Sequence, residues 1–163
     1  MVMVVGKSWG QVQTHSDIDK FTGDTTVVTD EDTLRVTQIN KRKSYNRETV
    51  EGYVTKTHNG RFYSLYIDFT GPDVYSLSKE NNAYFKMEDN SIIKIPYDGD
   101  YNIFSESEKA SFVVDISSYI DKFSTMNIQS IRLETSKFFN DIDLADRFQA
   151  KIKNIVVALM NSH

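Results

Sequence analysis

Three short stretches of this sequence bring together residue types that could do chemistry. His15, Asp17 and Asp19 stand at alternate positions, so an extended backbone would turn all three toward one side. An imidazole and two carboxylates would suit a divalent cation, and with it a metal-dependent hydrolase. The plainer reading is a solvated turn ahead of Phe21-Thr22-Gly23, with the acids capping turn amides. Lys41, Arg42, Lys43, Tyr45 and Arg47 form a basic cluster with an aromatic inside it. It could hold a small anionic molecule such as a nucleotide, or simply be the wet tip of a hairpin. The third stretch is Gly6-Lys7-Ser8, which follows an apolar run as the end of a phosphate-binding loop would. That loop needs a glycine five positions earlier, where Met1 stands, and a helix directly after it. Trp9-Gly10-Gln11 offers no such helix.

Catalysis by a histidine-based triad finds little support. Of three histidines, His58 sits in a turn sequence and His163 is the last residue, which leaves His15 with no glycine-flanked serine. Two further acidic pairs have plain explanations. Asp143 can cap the last helix with Asp141 beside it. Asp68 and Asp115 fit the wet face of half-exposed strands. No cofactor is implied.

The elements that would position these residues are mostly strands. Nine tyrosines and ten phenylalanines against two prolines and seven glycines favour sheet over disorder. The β-branched Thr25–Thr29 reads as a strand, Thr33–Ile39 as a weaker one, and 40–47 as a polar basic loop. Tyr53–Thr57 and Arg61–Phe69 flank His58-Asn59-Gly60, where Asn-Gly predicts a type I′ hairpin turn. Ala83–Met87 and Ile92–Pro96 predict a second hairpin; Tyr101–Phe104 and Ser111–Ile116 are further strands.

The C-terminal third predicts a short helix from a Ser118/Asp121 capping box, a strand over Ile128–Thr135 and a returning strand over Phe138–Ile142. A final helix has Phe148, Ile152, Ile155, Val156 and Leu159 in one apolar stripe. The class is α+β: a mostly antiparallel curved sheet, β-sandwich or open barrel, with a short internal helix and a C-terminal helix packed on it. At 163 residues the chain reads as a single domain, 1–163, with residues 1–20 a candidate loosely attached segment.

Charge and composition narrow the partners. The net charge is −4, spread along the chain, which disfavours nucleic acid. No apolar run is long enough for a membrane-spanning helix. The absence of cysteine removes disulfides and thiol chemistry. It fits a cytoplasmic location without excluding export after signal removal. A homo-oligomer is compatible with the sequence. Outward tyrosines on the strands would make a contact surface at low entropic cost, or cross-strand pairs that only stabilise the sheet.

Lys20–Gly23 running into Thr25–Thr29, then Tyr84–Ile95 and Ile128–Gln149, resembles short uncharacterised proteins of bacteria and their phages. The resemblance implies an architecture and a prokaryotic or viral source, and transfers no catalytic residue. The expectation is a non-enzymatic binding or interaction module. The alternatives are a sequestering protein for a small anionic molecule and a metal-dependent hydrolase.

Overall fold

The computed structural model describes residues 12–40 and 44–162. Its strands make two main antiparallel sheets that do not close into a barrel, in agreement with the α+β class. The larger sheet has six strands: β1 (Thr14–Ile18), β2 (Thr25–Thr29), β3 (Asp32–Asn40), β4 (Ser44–Thr57), β5 (Gly60–Thr70) and β10 (Lys109–Asp115). The order is β1-β2-β4-β5-β10, and β3 also pairs with β4. Strand β4 is long enough to be shared: Ser44–Val50 take β3, and Tyr53–Lys56 take β2.

The smaller sheet has the order β12-β11-β7-β8, from β7 (Asn82–Met87), β8 (Ile92–Pro96), β11 (Ile128–Glu134) and β12 (Phe139–Asp143). A two-stranded ribbon joins β6 (Tyr75–Leu77) to β9 (Asn102–Phe104).

Period-2 alternation buries one face of each sheet. Val50, Val54, Leu65, Ile67, Phe69, Phe112 and Val114 point inward from the large sheet, and Phe85, Ile93, Ile95, Ile131, Leu133 and Ile142 from the small one. One core holds both faces and the helices. Helix α1 (Ile120–Thr125) sets Phe123 edge-on against Phe85, with ring centroids 5.0 Å apart. Helix α3 (Lys151–Asn161) buries Ile152, Ile155, Val156 and Leu159 of the expected stripe, while Phe148 falls before it in the chain and is half-buried. It lies on β4 at Gly52, where an added Cβ would sit 2.8 Å from Leu159 Cδ1. Tyr75 fills one end of the core between Phe69, Phe104 and Phe138. Burial pushes its phenol up to about 12, and its hydroxyl has no hydrogen-bond partner among the described residues.

Several expectations change. Residues 44–47 belong to β4 instead of a long loop, because β3 supplies a partner along their whole length. The β4–β5 turn closes one residue earlier than an Asn-Gly type I′ turn would: Thr57 pairs with Gly60, so His58 and Asn59 are the central residues. Gly60, at φ +137°, takes the conformation open to glycine. The Ser118/Asp121 box does not form; the Asp115 carboxylate accepts the Ser117 N–H at 2.8 Å and starts a 3-10 turn over Ser117–Tyr119.

Asp143 caps no helix, because it ends β12. The C-terminal helix starts in two pieces, α2 (Asp146–Gln149) and then α3, with no side-chain cap on either. Asp68 is more enclosed than a wet-face residue, its side chain 14% exposed between Lys109 and Ser111. Of His15–Asp19, read as a solvated turn, His15–Ile18 belong instead to the edge strand β1 paired with β2, all exposed, and only Asp19 serves the turn.

Candidate binding surface

The register of the small sheet fixes a grid on its outward face. Side chains two apart on one strand share a face, and paired residues stand side by side. The first row runs Asp143, Ser130, Lys86, Ile92 across β12, β11, β7 and β8. The second runs Asp141, Arg132, Tyr84, Lys94. The third runs Phe139, Glu134, Asn82, Pro96. An open cavity of about 450 Å³ lies over these rows, bordered by Tyr84, Lys86, Ile92, Arg132, Phe139 and Asp141 among others.

Apolar groups are left in water here. Ile92 is 66% exposed and Phe139 is 56% exposed. The polar groups are held in position. Arg132 meets Asp141 through two parallel bonds, Nε to Oδ1 at 2.6 Å and Nη2 to Oδ2 at 2.8 Å. That contact holds the Asp141 carboxyl below the usual carboxylate range and raises Arg132. The Arg132 guanidinium also lies 5.1 Å from the Phe139 ring centroid, and Lys94 Nζ lies 5.7 Å from that of Tyr84.

Asn82 donates its backbone and side-chain N–H groups to Glu134 Oε2. Ser130 makes no side-chain hydrogen bond to its row neighbours Asp143 and Lys86 among the described residues.

Arg35 ties this sheet to the other. It is bidentate to Glu48, with Nη2–Oε1 at 2.7 Å and Nε–Oε2 at 3.1 Å, and it also donates to the Asp141 carbonyl and Asn140 Oδ1. The Glu48 side chain is 7% exposed.

The sequence-selected residues that the structure describes lie on other elements. His15 and Asp17 share β1, but His15 Nε2 lies 2.8 Å from Asp30 and Asp17 accepts the Ile18 N–H. Asp19 caps the following turn by accepting the Phe21 and Thr22 N–H groups, which lowers its pKa. The structure does not bring the three together. Among the described residues no group of three His, Cys, Asp or Glu could hold a metal. Lys41, Arg42 and Lys43 lie outside the described residues, as does Gly6-Lys7-Ser8. Tyr45 and Arg47 are strand residues of β4 opposite Gln38 and Val36.

Asp141 and Asp143 stand out in the sequence too, but as a helix cap. Their i, i+2 spacing within a strand is the signal for a shared face. Tyr84 and Lys86, two strands across in the same rows, come from more than forty residues away, which no local pattern reports.

No protein-family model, curated protein or solved structure matches the chain. No helix among the described residues is long and apolar enough to cross a membrane.

Proposed function

We propose that the protein is a non-enzymatic interaction module, and that the outward face of the β12-β11-β7-β8 sheet is its binding surface. One observation carries this reading: the cavity over that face combines exposed Phe139 and Ile92 with charged groups held in place by ion pairing. Large apolar groups left in water beside positioned polar ones mark contact surfaces. The lining lacks histidine and cysteine, and its one serine has no base in hydrogen-bond contact, which favours binding over turnover.

The test is amide NMR on dilute 15N-labelled protein, titrated with ATP, magnesium chloride, maltotriose and a mixture of short unstructured peptides. The expected result is signal movement clustered on Tyr84, Lys86, Arg132, Phe139 and Asp141 with at least one probe. Movement confined to residues away from this sheet, or phosphoester turnover abolished by EDTA, would overturn the reading.

A further inference from the structure

Resting on that surface, we infer that its occupant is a second copy of this chain, placed by a two-fold axis parallel to the strands and running between β11 and β7. The charges on the face select both the partner and the axis. Lys86 and Lys94 lie on the β7–β8 side, and Asp141 and Asp143 on β12. With Arg132 and Glu134 added, the face carries three cations and three anions. A nucleic acid or another polyanion gains no net attraction from such a surface.

A second copy does gain, in one orientation. A two-fold axis in the plane of the contact, perpendicular to the strands, would set β12 on β12 and Asp141 against Asp141. It would also bring Lys94 against Lys94. An axis parallel to the strands sets β12 on the second copy's β8 and β11 on its β7. Asp141 then faces the second copy's Lys94, and Arg132 faces its Tyr84 ring. In the third row Phe139 faces Pro96 and Glu134 faces Asn82. In the first row Ser130 faces Lys86, whose long stem reaches toward Asp143. Packed sheets twist by about 30°, which shifts the outer positions by a few ångströms, and flexible lysine stems can follow. Each contact occurs twice by symmetry, as an isologous interface requires.

The face also sets the strength. Four strands about 4.8 Å apart and five residues long give roughly 300 Å² of flat area per copy. A stable pair needs nearer 800 Å² from each partner, so the dimer is weak and depends on concentration.

Sedimentation velocity on the full chain, from low micromolar to near-millimolar, tests this. The wild type should move toward dimer mass at the top of the range. Lys94→Glu and Asp141→Lys should each stay monomeric, since each sets like charges together. Mixed, the two variants should associate again. The introduced carboxylate of one then meets the introduced ammonium of the other, while the remaining Asp141 meets the remaining Lys94. Circular dichroism checks that both variants are folded.

A wild type that stays monomeric throughout, or a mixture no more associated than its components, overturns the second copy. If the wild type is monomeric while a titrated probe moves the signals of this face, the partner was wrong and the surface stands. If neither occurs, both readings fall.

Discussion

On the outer face of the six-stranded sheet, Tyr53 leans on Tyr66 with ring centroids 4.3 Å apart and donates its hydroxyl to Glu51 at 2.7 Å. Burial, and next the bond to Glu51, push its phenol well above the ordinary range. Beside it Asp68 accepts from Ser111 and from Lys109, whose pKa that contact raises. Tyr84 and Phe139, on the outer face of the four-stranded sheet, also have polar neighbours, but there the cavity stays open and Ile92 stands in water. Both faces use tyrosine, acid and base on alternating strand positions. One turns those groups on each other and holds its own sheet together; the other leaves Ile92 and Phe139 in water. Residue composition does not separate a face paired with itself from an open one. Cross-strand register does.

Substitutions can break or sharpen this contrast. The largest effect is expected at Arg35, which links the two sheets. Arg35→Ala leaves the nearly buried Glu48 carboxylate without its partner and should cost about 3 kcal/mol in a urea melt. Pairing Arg35→Met with Glu48→Leu should recover most of that. On the six-stranded face, Asp68→Ala strips Ser111 and Lys109 of their acceptor and should cost about 1–3 kcal/mol without changing association. Tyr53→Phe loses one hydrogen bond and should cost about 1 kcal/mol, again leaving sedimentation unchanged.

Phe139→Ala on the other face should do the reverse, with stability within about 0.5 kcal/mol of wild type and self-association reduced. A loss of stability at Phe139 larger than that at Asp68 would erase the distinction.

The smallest effect concerns acid. Arg132 depresses the Asp141 pKa in the folded state, so its contribution is complete above the unfolded value of about 3.9 and is lost as pH falls through the folded value. Stability should therefore fall on acidification below about pH 4, and Asp141→Asn should flatten the pH dependence slightly. The flattening is slight because the pair is half in water. It is also slight because Asp19, Asp73 and Asp89, all depressed, keep their share.

Local pattern carried most of the fold. Ile131 and Leu133 sit inward as their alternation requires, and the stripe from Ile152 to Leu159 is buried on one side of α3. Two of the readings that failed did so where pairing with the preceding strand decided the outcome. Residues 44–47 look like loop until β3 lies beside them. Asp143 looks like a helix cap until β11 takes it into a sheet. The outward face of the four-stranded sheet was the least legible part, since its rows join residues 82–96 to residues 130–143, and only pairing reveals that Asp141, Arg132, Tyr84 and Lys94 stand in line.

The unequal lengths of β4 and its neighbours have a further consequence. β5 covers β4 only from Thr49 onward, so Ser44–Glu48 are laddered to β3 alone. A ribbon of two strands opens at far lower free energy than strands inside a six-stranded sheet. Amide deuterium uptake should therefore step along one continuous strand, rapid before Thr49 and slow beyond it. Proteases, too, should nick this end first and leave the body intact, with the Arg35–Glu48 clasp marking where fraying stops.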